Sequence, residues 1–249
     1  VLLKEFRGKE IEFATRFSES VLARIHFLVS IDPKDEHEID FRQVEKKLVE
    51  VGRSWEDDLK TNILDSFGEE KGNIYANRYT NAFSASYREY FSPRTAVYDV
   101  RHMEQLSEKR PLEMNFYRPV GVIDSILRFK IYQYDHTLAL SDVLPILENM
   151  GLHVISERPY EIMRQDGRCI WVNDFSMTYA KGDSLDLDQV KEIFQEAFAK
   201  IWFGKAENDG FNKLILAASM TWREVAVLRS YAKYLRQARF TFSQDYIES

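Results

Sequence analysis

The sequence predicts an α+β fold in which a β-α-β-β-α unit is preceded by a strand hairpin and flanked by helical segments. Apolar residues alternate with period two in the runs 10–31, 127–134 and 152–179, the mark of strands with two unlike faces. Elsewhere they recur every three to four residues, the mark of amphipathic helices. Cap residues and a turn dipeptide fall where one period gives way to the other.

The opening stretch KEIEFATRFSESVLARIHFLVSI reads as two strands joined around Ser18 to Ser20. Ala23, Ile25, Phe27 and Val29 alternate there with Arg24, His26, Leu28 and Ser30. A lone hairpin is marginal in water, so its sheet partners are expected to lie partly upstream of Val1. Over 39–67 the pattern is helical, with Phe41, Val44, Leu48, Val51 and Trp55 on one stripe, and FGEEKG is expected to stop it. Helices are then predicted at 74–90 and 93–106. In the second, Ser92 is the N-cap, Pro93 takes the first helical position, and Ala96, Val97, Val100 and Met103 form the stripe.

The central unit begins at LRFKIYQY, where Leu127, Phe129 and Ile131 face one way and Arg128, Lys130 and Tyr132 the other, as in a half-buried strand. Asp135 to Leu140 turn the corner. Ser141 is the expected cap of a short helix with Pro145 in its first turn, Leu144 and Leu147 inward, and Gly151 as its left-handed stop. LHVISERPYEIM follows as a strand that Pro159 confines to an edge or irregular position. Asp166 and Gly167 make a hairpin turn, and IWVNDFSMTY returns with Trp171, Phe175, Met177 and Tyr179 on one face. A helix over 187–203 carries Val190, Ile193, Phe194, Ala197 and Ile201. Leu127, Phe129, Ile131, Leu144, Leu147, Trp171 and Phe175 are the expected common core. In the tail Thr221 and Glu224 form a capping box, and Val225, Leu228, Ala232 and Leu235 a stripe ending near Phe240.

With 249 residues, 45% of them apolar and 14% aromatic, the chain can bury one large or two ordinary cores. A formal charge of -6 argues against a general binder of nucleic acid or of an anionic membrane. One cysteine, Cys169, excludes an internal disulfide, and no Asn-x-Ser/Thr acceptor occurs, which fits a cytoplasmic location. No apolar run is long enough to span a bilayer. The start VLLKEFRGKE has no signal-peptide form, and its lack of an initiator Met suggests a piece of a longer protein.

Catalytic signatures are missing: the sequence contains no Gly-x-Gly-x-x-Gly, Gly-x-x-x-x-Gly-Lys, His-Glu-x-x-His or Gly-x-Ser-x-Gly. His26, His37, His102, His136 and His153 have no ligand spacing, and Cys169 has no His beside it in sequence to activate a thiolate. Arg229, Lys233 and Arg236 share one helix face, which is more simply a solvated or carboxylate-binding face than a phosphate grip. The corner of Asp135, His136, Thr137 and Leu138 differs, because a strand ends there and the N–H groups at a helix start can receive a carboxylate.

Several long segments together resemble a known family. RIHFLV, FGEEKGNIYANRYTNAF and AVYDVRHMEQL, then LSDVLPILENMGLHVISERPYEI, WVNDFSM and DGFNKLILAASMTWREVAVLRSYAKYLRQ, are similar to the non-catalytic N-terminal half of the large bacterial NAD-specific glutamate dehydrogenases. The resemblance implies ACT-like (ferredoxin-like) units: a partial one at 1–66, a helical linker at 67–115, an ACT-like domain at 116–205 and a helical segment at 206–249. It also implies a parent reaction, the oxidative deamination of L-glutamate to 2-oxoglutarate and ammonia with NAD, by a domain beyond Ser249. The stretch itself is then expected to hold no cofactor or metal and to be inactive. Expected partners are further copies of the chain, meeting through ACT-like sheets or helices, and an amino-acid effector at Asp135, His136, Thr137 and Leu138. Two features depart from the usual ACT pattern: YDHTLAL lacks the frequent glycine, and no fourth strand is evident after Gly204. A ligand-free scaffold is the alternative function. An independent enzyme using Glu69, Glu70 and Asp99 ranks last, since charged helix residues are usually solvent faces.

Overall fold

The computed structural model describes residues 1–16, 24–32, 39–52, 54–119, 125–179 and 185–238. The chain forms two compact units, Val1–Asp58 and Leu59–Ser249.

The first unit holds α1 (Leu2–Glu5), the antiparallel pair β1 (Glu10–Arg16) and β2 (Arg24–Ser30), and α2 (Phe41–Gly52). The turn expected at Ser18 to Ser20 lies outside the described residues. Asp40 Oδ1 accepts from the N–H groups of Arg42 and Gln43 and so starts α2. Of the expected α2 stripe, Val44 is buried while Phe41 and Leu48 are exposed; Phe13, Phe27 and Leu28 on the hairpin are exposed as well.

The next helix, α3 (Trp55–Tyr79), begins in the last residues of the first unit, continues in the second, and is broken at Gly68, whose φ of 76° no helix interior accommodates. FGEEKG therefore interrupts the helix instead of stopping it. The helix expected over 74–90 is divided in turn: α3 ends at Tyr79, and α4 (Ala85–Tyr90) starts anew where Ser84 accepts from Tyr87 N–H. In α5 (Pro93–Met103) Ser92 accepts from Thr95 N–H and Pro93 leads, as the sequence predicts.

A strand that the sequence reading did not anticipate follows, β3 (Leu112–Tyr117). Then come β4 (Ile126–Tyr134), α6 (Leu140–Asn149), β5 (Leu152–Met163), β6 (Cys169–Tyr179) and α7 (Leu187–Trp202). The four strands form one antiparallel sheet in the order β3-β4-β6-β5. The fourth strand sought after Gly204 thus lies before the unit, where β3 pairs with β4 from Leu112 opposite Gln133 to Tyr117 opposite Arg128. A 3-10 turn, Gly210–Lys213, leads into α8 (Leu214–Ala217), and α9 (Trp222–Gln237) opens with the expected Thr221–Glu224 capping box.

Helices α6 and α7, with α8 and α9 beyond them, cover one face of this sheet and share a core with Leu127, Phe129, Ile131 and Phe175. Leu147 joins that core; Leu144 and Trp171 are only partly buried and lie outside it. The cause is register. The N-cap of α6 is Ala139, not Ser141, so Val143, Ile146, Leu147 and Met150 turn inward. Pro145 then sits in the second turn and cannot donate to the Ser141 carbonyl. In α9, Leu228 and Leu235 are exposed, and Arg229 is buried with Val225 and Ala232. The other face of the sheet is covered too, by side chains of α4 and α5, so β4 is buried on both sides instead of one.

Candidate functional site

The chain leaves β4 through a turn that few side chains accept. Asp135 has a φ of 65°, His136 N–H donates to Tyr134 O at 2.8 Å, and Asp135 N–H donates to Cys169 O at 3.1 Å. A bond closing three residues about a positive φ is the strained form of γ-turn, and Asp tolerates the left-handed region better than most residues. The Gln133 side-chain amide donates to His136 O and holds the turn from below.

The four corner residues part company here. Asp135 and His136 line a cavity of ≈ 270 Å³ whose other walls are Pro111, Leu112, Gln133, Tyr134, Trp202 and Phe203. Thr137 instead accepts from Asn173 Nδ2 at 3.0 Å, while the same amide donates to Glu157 at 2.7 Å. Leu138 is buried in the core, where it anchors the start of α6. No side-chain hydrogen bond caps α6; the Asp142 N–H in its first turn donates instead to Ala139 O at 3.0 Å. The aromatic wall was not anticipated. Trp202 and Phe203 come from the end of α7 and Leu112 from β3, and nothing near Asp135 in the sequence marks them.

The opposite face of the sheet carries a second polar group, also unforeseen. Asp99 on α5 is 2% exposed and accepts from Lys130 Nζ at 2.6 Å, from Tyr132 OH at 2.7 Å and from Tyr87 OH. Lys130 also lies 3.7 Å from the centre of the Phe91 ring. Burial, and then the Asp99 carboxylate, hold the phenols of Tyr87 and Tyr132 well above their ordinary pKa, so both remain donors. Asp99 is thus engaged in packing the helices onto the sheet, and Glu69 and Glu70, its imagined catalytic companions, are exposed on α3.

Asp174 on β6 lies opposite Lys130 and is paired with Arg128. Burial outweighs the attraction of Lys130 and Arg128 and raises its carboxyl to about 6. With the folded pKa above the unfolded one, the contribution of Asp174 to stability is complete below a pH of about 4. It declines as pH rises through about 6. Asp174→Asn should therefore flatten the fall in denaturation midpoint between those limits. Parallel wild-type and mutant profiles from pH 4 to 7 would show that this carboxyl is not the titrating group.

Other candidates resolve into structural roles. Cys169 is pushed up to about 11 by burial and by Glu161, which leaves little thiolate. Arg229 is 4% exposed and forms a fork to Asp209, with Nε at 2.6 Å and Nη2 at 2.8 Å, while Nη2 also donates to Asn212. Its expected neighbour Lys233 pairs with Glu207. His102 lies 3.1 Å from Glu113 and stacks on Tyr132, whereas His37 is outside the described residues.

Four consecutive family matches cover most of the chain. They are the glutamate dehydrogenase ACT2 domain at residues 1–56, helical motif 2 at 62–106, the ACT3 domain at 111–190 and helical motif 3 at 206–249. Similar proteins include the NAD-specific glutamate dehydrogenases of Pseudomonas aeruginosa, 47% identical over the whole chain, and of Halomonas elongata, 46% identical over 99% of it. That of Mycobacterium tuberculosis is 32% identical, again over the whole chain. The chain spans 15–16% of the length of these relatives.

Proposed function

The chain belongs to the NAD-specific glutamate dehydrogenase family as a stretch of its ACT and helical-motif region, and from that premise we propose a regulatory and assembly role. It serves an enzyme that deaminates L-glutamate oxidatively to 2-oxoglutarate and ammonia in the cytoplasm, as a homo-oligomer whose amino-acid effector binds at the Asp135–His136–Thr137 corner. One observation supports this best: a strained, accessible turn opens onto a cavity walled by Leu112, Trp202 and Phe203. NAD serves the parent reaction elsewhere in the longer polypeptide. This sequence offers no glycine-rich dinucleotide turn, and no hydride-transfer step is assigned to it. The purified chain should accordingly form no NADH from glutamate above blank.

The effector role is tested by thermal melting with a panel of amino acids, since a ligand selective for the folded state must raise stability. Asp135→Asn is the informative variant, because Asn also tolerates positive φ and only the charge is lost. The expected result is a ligand-dependent rise in Tm that Asp135→Asn reduces without changing the mass in solution. If no amino acid shifts the melting, the effector role fails.

A ligand-free scaffold has its own support. Gln195 on α7 accepts the outward N–H of Phe116 at 2.8 Å and Lys191 donates to Asn115 at 2.8 Å, which closes part of the free edge of β3. A sheet covered on both faces and guarded along that edge suits a spacer.

A further inference from the structure

We propose that a cavity of ≈ 250 Å³ between the segment that follows α7 and helix α9 holds a phosphate group, free or carried as the monoester of a small metabolite. It shares no residue with the cavity beside Asp135. Its wall brings Lys205, Arg229 and Lys233 together with a single carboxylate, Glu207, on a chain whose formal charge is -6. Arg229 is the fixed point. It is 4% exposed, and its Nε and Nη2 are spent on Asp209, Asn212 and Glu207 O, which leaves Nη1 with no hydrogen-bond partner among the described residues. A guanidinium held in this way suits the geometry of phosphate and loses little freedom when one binds. Trp222 in the same wall has Lys200 and Arg223 over its ring, 5.4 Å and 5.2 Å from the centre, and Glu196, which accepts the indole N–H at 3.0 Å, offsets only one of those charges.

Glu207 is the intramolecular substitute for that anion. Its two oxygens accept from Lys233 Nζ at 2.6 Å and 2.7 Å, and Oε2 lies 4.0 Å from Arg229 Nε. The Glu207 and Lys233 side chains are 57% and 51% exposed, so their pairing is worth little in water and yields readily to a dianion. The carbonyls that end α7 would repel an anion if bare, but Lys200 O accepts from the N–H groups of Lys205 and Ala206, and Ile201 O from that of Gly204. Phosphate is favoured over a carboxylate because it brings nearly two charges and three acceptor oxygens to three cationic heads. The space lies slightly below the range of drug-sized sites, which suits the phosphate group and a short stem. A phosphate held here fastens the end of α7 to α9.

Titration calorimetry of the chain at constant ionic strength with inorganic phosphate, glycerol 1-phosphate, acetate and chloride tests this. Phosphate or its monoester should give a saturable heat that acetate and chloride do not. Binding of the free ion, of the ester or of both assigns the source and upholds the site. Lys205→Gln and Lys233→Gln should each weaken binding roughly tenfold, the loss of one charge-assisted contact. Glu207→Gln should instead tighten it about threefold to fivefold, because the competing carboxylate is gone. All three side chains are exposed, so these variants should melt as wild type does. Glu69→Gln, exposed on α3, makes the same change in net charge and should leave binding as it was. Silence from both phosphates, an equal heat from chloride, binding untouched by the two lysine substitutions, or a gain in Glu69→Gln as large as in Glu207→Gln would each overturn the site, and none of these results bears on the Asp135 corner.

Discussion

Asp99→Ala should lower the stability of the larger unit by about 3–5 kcal/mol, because it removes one partner of a buried ion pair and leaves the other in place. Lys130 is 1% exposed and would keep its charge among Tyr87, Phe91 and Tyr132 with only Asp174 nearby, a carboxylate already paired with Arg128, while two phenols lose their acceptor. Tm should fall by on the order of 10 °C for a unit of this length. Replacing both partners together, Asp99→Leu with Lys130→Met, should restore most of the loss, since the desolvation cost of both charges disappears with them. A single mutant that melts with the wild type would show that Asp99 and Lys130 do not hold α5 to the sheet.

That pair also shows which parts of the fold were legible in the sequence. Features settled within a few residues could be read directly: the Ser92–Pro93 start of α5, the Thr221–Glu224 box, and Gly151 and Gly167 at positive φ. Features settled by distant chain could not. Arg128 and Lys130 alternate with apolar residues as in a strand with a wet face, and only the packing of α5 reveals that the polar face is buried with Asp99 as its counter-charge. β3 had a visible period of two in LEMNFY, but a six-residue strand after a helical run gives little signal until β4 pairs with it. Ser141 has the better cap chemistry, yet α6 starts at Leu140, just after Leu138 enters the core. The same division holds at the candidate site. Asp135 and His136 announce a corner, whereas Trp202 and Phe203 become its wall only once α7 has crossed the sheet.

Phe129→Ala should cost about 3–5 kcal/mol, from lost transfer energy and an unfilled cavity. Phe129 is fully buried at the centre of an aromatic group, with ring centres 5.1 Å from Phe194, 5.1 Å from Phe198 and 6.1 Å from Phe116. Three near-perpendicular contacts are lost along with the burial. Neighbouring rings cannot easily close the gap, because Phe116 and Phe194 already pack at 4.4 Å. The comparison variant is Trp171→Ala, whose partly exposed side chain lies outside that core and should cost less. Urea midpoints with an unchanged slope would separate the two, and a Phe129→Ala loss no larger than that of Trp171→Ala would mean that α7 is not anchored here. The anchoring matters beyond stability: Phe194 and Phe198 seat the helix whose end supplies Trp202 and Phe203, so a loosened α7 should also weaken any ligand held beside Asp135.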